Sequence, residues 1–330
     1  MNRMAGLATL LIVALAAGNA VAGETQGTTL RFTLQPGQVL VYRAISDTEI
    51  RGQGRPLGGE RETDAEAHLE MIFSLTAGDT GPDGSIAVTM EILDLKMIAD
   101  IEMSGDTGRD KLRRRFEMDR SGIKIYDGNK LVQEVAWGGL NLPNAPDFPA
   151  LLGGTFQTRM SPRAEVTHLE EPGRIKRLLQ GANFLHLLQT WVVLPEGPIV
   201  KGSTWQVAQE LVAANPINFK NIYTLEGTET YTAIEAVTHM KRSCLKVGIK
   251  GDWPKANVGG ELEAEHSASG TAIVDFATGV TFAVSLNSTQ HLEGTRGEAK
   301  GEFDLESRST VTYIGGQQAY THYKAQETAE

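Results

Sequence analysis

The run GTAIVDFATGVTFAVSLN, Gly270 to Asn287, decides the fold class. Val280, Phe282, Val284 and Leu286 fall on one side of its second half, with Thr281, Ala283, Ser285 and Asn287 on the other. A period of two marks a strand with one greasy and one wet face. An Asp-containing turn with glycine interrupts the run, which therefore reads as one β-hairpin. Its greasy face is of the filled-core type, because branched and aromatic side chains interlock.

The same alternation recurs along the chain. Leu30, Phe32 and Leu34 alternate up to a turn at Gln35-Pro36-Gly37-Gln38, and Leu40, Tyr42 and Ala44 resume after it. Ala65, Ala67, Leu69, Met71, Phe73 and Leu75 share one face of a long strand, GDTGPDG makes the turn, and Ile86, Val88, Met90 and Ile92 form the return. The pattern then slips to Leu93, Leu95 and Met97, which predicts a β-bulge near Leu93. Further strands are expected at 116–118, 123–126, 205–211, 222–225, 245–249 and 303–313. Because one face of nearly every strand is polar, the sheet is antiparallel with one wet side. The expected class is mainly β: a curved antiparallel sheet, or half-barrel lobes, with one principal helix packed across the apolar face.

That helix is read from Gly173 to Trp191. Ile175, Leu178, Leu179, Ala182 and Leu185 recur at helical spacing, and Phe184, Leu187, Leu188 and Trp191 make its second half apolar nearly all round. Phe184, Leu185, Leu188 and Trp191 are therefore the candidate contacts to an apolar ligand or between lobes. Gly138 to Gly154, with three prolines and four glycines, cannot be a central strand and reads as a linker between lobes at 28–137 and 155–316.

The first 22 residues read as a secretory signal peptide: Arg3 in a positive head, an apolar run from Leu7 to Ala17, and small residues at Ala20 and Ala22 before the cleavage site. The apolar run is shorter than the roughly 20 residues a membrane helix needs. Its removal would leave residues 23–330 and move the net charge from −10 to −11 as Arg3 is lost. The expected location is the periplasm or the extracellular space, with no transmembrane anchor in the mature chain. An acidic surface disfavours nucleic acid as a partner. Cys244 is the single cysteine, so no disulfide can form within the chain, and its apolar neighbours mark it as a buried structural thiol.

Three stretches, LRFTLQPGQVLVYR, VVLPEGPIVKGSTWQV and SGTAIVDFATGVTFAV, together resemble a family of large secreted bacterial proteins catalogued as a domain of unknown function. The resemblance implies a β-rich extracytoplasmic protein and carries no catalytic residue. By fold analogy alone, a curved sheet with a helix across its concave side also looks like the periplasmic lipoprotein carriers.

Glu66, His68 and Glu70 project from one strand face and could in principle bind a metal, but they lie on the wet side and no further ligand is in view. Glu261, Glu263 and Glu265 would tolerate a loosely held cation without demanding one. RDKLRRRF, Arg109 to Phe116, reads as a solvated edge or a partner for the protein's own acidic surface. No phosphate loop, zinc-protease, nucleophile-elbow or CxxC motif occurs, and His168, His186, His239, His266, His291 and His322 have no paired carboxylate at a recognisable spacing. No catalytic, cofactor or metal residue is assigned. The expected function is non-enzymatic binding of a lipid or other hydrophobic ligand. The alternative is a structural or protein-interaction component of the cell envelope, and a third class is an enzyme whose group is assembled from distant residues.

Overall fold

The computed structural model describes residues 27–54, 61–105, 111–136, 152–170, 191–214, 222–258, 262–296 and 299–327. The expected leader, most of the expected linker and the expected helix before Trp191 lie outside them. The described chain forms β1 (Val39–Gly54), β2 (Arg61–Thr80), β3 (Ile86–Gly105), β4 (Lys111–Asp119), β5 (Gly122–Asp127), β6 (Lys130–Ala136), β7 (Thr155–Met160) and β8 (Val166–Glu170). It continues with β9 (Thr204–Ala214), β10 (Ile222–His239), β11 (Arg242–Val258), β12 (Leu262–Asp275), β13 (Thr281–Arg296), β14 (Ala299–Gly315) and the helix α1 (Gln317–Glu327).

All fourteen strands belong to one antiparallel sheet, ordered β6-β5-β4-β3-β2-β1-β14-β13-β12-β11-β10-β9, with β7 and β8 branching from β3. Two meanders are thus joined where β1 runs beside β14, from Val41 opposite Gly315 to Gly54 opposite Gly301. Residues from both ends of the chain share this sheet. Its terminal strands, β6 and β9, do not pair with each other, so the sheet does not close into a barrel.

The bulge expected near Leu93 is present: Ile72 faces Asp94 while Phe73 faces Ile92, leaving Leu93 as the extra residue. It marks the fork in β3, which pairs with β7 up to Glu91 and with β4 from Met97 onward. Arg120, from the β4–β5 turn, donates to Asp94 at 2.9 Å and to the Leu93 carbonyl, satisfying groups freed from the ladder.

The main core lies on one face, here called inner, over one end of the long strands. Tyr42, Phe73, Met71, Ile92, Val247, Val284 and Phe282 are buried there, and the greasy face of the Gly270–Asn287 hairpin is filled core. Two irregular segments cap it. Leu30, Phe32 and Leu34 are buried as the alternation requires, but they do not form the expected strand: Phe32 N–H donates to Pro162 at 2.7 Å and Thr33 N–H to Thr278 at 2.9 Å, contacts outside any regular ladder. Trp191, Val192, Val193 and Leu194 form the second cap, stitched down by Trp205 Nε1–H to the Val193 carbonyl at 2.7 Å. The hairpin tip is held by Asp275, which accepts from Thr278 N–H and Oγ1 and faces Arg242 at 3.4 Å. Gly279 turns there with φ 65°, and a Cβ would stand 2.6 Å from the Arg31 carbonyl.

A second apolar cluster gathers Leu211, Tyr223, Leu225, Trp253, Leu262, Leu292 and Leu305 toward the other end of the sheet. On the outer face α1 covers Val39, Val41, Ile72 and Leu93 with Ala319, Tyr320 and Tyr323. The bulge thus delivers Leu93 to this patch while Ile92 and Leu95 stay in the main core.

Candidate functional site

Between the two inner clusters, cross-strand register lines up one row of directly opposed residues across eleven strands. From β9 to β5 it reads Val207, Glu229, Gly251, Ala268, Ser288, Ser307, Thr48, Ala67, Ala99, Phe116 and Ile125, with Gln133 of β6 beyond. The seven members from Gly251 to Ala99 are all small. At about 4.8 Å per strand they extend for roughly 29 Å. The rows about 7 Å to either side along the strands are mixed: Ile249, Leu286, Leu69 and Met97 with Gly270, Ser309 and Ser46 toward the main core, and Trp253, Leu305, Ile50 and Ile101 with His266, Gln290 and Ala65 toward the second. The result is a shallow trough. Its floor from Ser288 to Ala99 is half-buried, as are Leu69, Met97, Ile101 and Met103 along its β2–β3 part. Thr48 and Ser307 hydroxyls on the floor bond each other at 2.9 Å, and Ser46 and Ser309 beside them do so at 3.0 Å.

A polar cluster closes the β10 end. The Tyr231 hydroxyl donates to Glu229, and burial holds the Glu229 carboxyl above the ordinary carboxylate range, a shift opposed by that hydrogen bond. Gln290 donates to the Tyr223 hydroxyl, the Trp253 indole donates to Gln209 O at 3.3 Å, and His266 meets the Trp253 ring edge-on at 4.9 Å.

The outer face is charged. Glu306, Glu49, Glu66 and Asp100 stand opposite one another on four successive strands. His68 Nδ1 lies 2.7 Å from Asp47, and Glu70 takes Arg43 at 2.7 Å, so two of the three residues in the Glu66-His68-Glu70 group are engaged by neighbouring strands. The basic run also meets acidic neighbours: Lys111 pairs with Glu102 at 2.9 Å, and Arg115 with Glu117 at 2.9 Å and Asp100 at 3.7 Å. Glu263 is held by Lys255 at 2.6 Å.

One group escaped the sequence. His291 does have a paired carboxylate: its Nδ1 is 2.8 Å from Asp304 and its Nε2 is 4.0 Å from Glu302. The partners are 13 and 11 residues away and meet only through the β13–β14 register, in which His291 faces Asp304. The group borders a concavity of about 610 Å³, with Glu49, Arg51, Asp252, Glu265 and Glu306 around it.

No family model matches the chain, and no curated protein matches it. Solved structures match at low similarity. A structure of lipovitellin describing lipid–protein interactions matches 86% of this chain at 13% identity with a TM-score of 0.45, and the chain spans 26% of that one. The transport unit of the autotransporter AIDA-I from Escherichia coli matches over 84% of this chain and 90% of its own, at 10% identity and a TM-score of 0.27. An outer membrane channel from Pseudomonas putida F1 matches over 86% and 98%, at 6% identity and a TM-score of 0.21. These scores carry no argument about function.

Of the four expected apolar contacts, Phe184, Leu185 and Leu188 lie outside the described residues. Trp191 is 7% exposed and packs edge-on against Tyr42, ring centres 4.7 Å apart, so it joins the caps to the β1 side of the core. Cys244 is buried beside Leu245 and Val247, and burial raises its thiol pKa. Among the described residues no helix is long and apolar enough to cross a membrane.

Proposed function

We propose that the protein is a non-enzymatic, exported binder of a lipid or other hydrophobic ligand, and that the ligand lies in the inner-face trough. The observation that carries the proposal is the run of small residues across seven strands, half-buried from Ser288 to Ala99 and walled by Ile50, Leu69, Met97 and Ile101 over β1 to β3. A strand face meant only to pack on its own interior fills such positions with Leu, Ile or Val, as the same sheet does at Val284 and Leu286. The Trp253 ring fills the space over Gly251, and from Ser288 to Ala99 the small residues leave a channel open. Covering its half-buried walls with hydrocarbon would contribute about 25 cal/mol per Å². The trough is also long enough: an acyl chain spans about half of a 30 Å bilayer core, roughly 15 Å.

The test is to fill the floor. Ala67→Phe with Ala99→Phe should reduce uptake of a fluorescent fatty-acid probe at least about tenfold while leaving the far-ultraviolet circular dichroism unchanged. Equal uptake by the double variant, or none by the parent protein, would remove the proposal and favour a structural or interaction role in the envelope.

A further inference from the structure

We propose that the outer face carries a divalent transition-metal site, with His291 Nε2 and Glu302 as ligands, water completing the coordination, and Asp304 as the residue that positions the imidazole. An ionised Asp304 carboxylate can only accept, so the 2.8 Å contact requires His291 Nδ1 to be the donor. In the neutral ring this leaves the lone pair on Nε2. A carboxylate holding one ring nitrogen so that the other can ligate is the recurring outer support of metal-binding histidines.

The free nitrogen faces Glu302 Oε1 at 4.0 Å. Two donors each about 2 Å from a tetrahedral zinc stand roughly 3.3 Å apart, so a small rotation of the exposed Glu302 side chain closes the pair on an ion. Glu265 stands directly opposite His291 on β12 and adds negative charge beside Asp304 and Glu302, while Arg51 stands opposite Asp304 on β1. The candidate ligand atoms of His291, Glu302 and Asp304 all fall within 4.8 Å of one another. The adjoining concavity of about 610 Å³ leaves room for water to complete the coordination.

His68 supplies an internal contrast. It has the same Nδ1–carboxylate contact, to Asp47 at 2.7 Å, but its neighbour on β3 is Ile98, where His291 has a carboxylate on both sides. The imidazole and carboxylate set suits zinc, cobalt or nickel better than calcium.

The experiment titrates untagged protein with zinc chloride by calorimetry and with cobalt chloride by visible absorption. One zinc per chain should bind saturably. His291→Ala should abolish that phase and the cobalt band, and Asp304→Asn should weaken binding about 10–100-fold and shift the band, since the imidazole would lose its orientation. His68→Ala should leave both signals unchanged, and circular dichroism verifies that each variant is folded. Saturable binding that survives His291→Ala, or only weak non-saturating binding to the parent protein, would overturn the proposal.

Discussion

Glu229 occupies the one acidic position in the transverse row, between Val207 and Gly251. Its carboxyl is raised by burial, so the folded protein holds this proton at pH values where an unfolded chain has released it. The folded state then binds more protons than the unfolded state, and this contribution to stability falls as pH rises through the interval between the ordinary and the raised value. Glu229→Gln should flatten that part of the profile and make the variant the more stable protein at pH 8. Urea unfolding at pH 5 and pH 8 checks this; identical pH dependence in parent and variant would contradict it. The sequence contains no cue to the shift. Glu229 sits in GTETY, where alternation puts it on the same face as Tyr231, and only the tertiary packing shows that this face is buried.

At the scale of elements, α1 covers an apolar patch on the outer face. Tyr320 donates to Glu91 at 2.9 Å, Lys324 pairs with the same carboxylate at 2.9 Å, and the aromatic rings rest on Val39, Val41, Ile72 and Leu93. Ending the chain at Gly316 should cost about 2–4 kcal/mol, the burial of two partly covered aromatic side chains, read as a lower urea midpoint with an otherwise two-state transition. No change would mean that the helix is not docked in solution. This helix was not legible in advance, because QQAYTHYKAQE shows too few apolar residues for a helical stripe. The strands were legible because alternation is local, and so was the bulge at Leu93, because one extra residue inverts the alternation after it. Leu30, Phe32 and Leu34 show the limit: alternation reports burial on one side, not ladder partners. The pairing of β1 with β14 and the contact of His291 with Asp304 are products of register, which no local pattern encodes.

At the scale of the molecule, one sheet presents two chemically different faces. The inner face fills its core at Tyr42, Phe73 and Phe282 and becomes small-floored between that core and the second apolar cluster. The outer face opposes carboxylates directly across strands at Glu306, Glu49, Glu66 and Asp100, an arrangement that costs stability. The central claim is that the trough holds hydrocarbon. Native mass spectrometry of protein purified from the cell envelope, recorded before and after organic extraction, tests it most directly. The account predicts an added mass that extraction removes and that the Ala67→Phe, Ala99→Phe protein lacks. A parent protein with only its polypeptide mass before extraction, or an adduct retained in full by the filled variant, would contradict it.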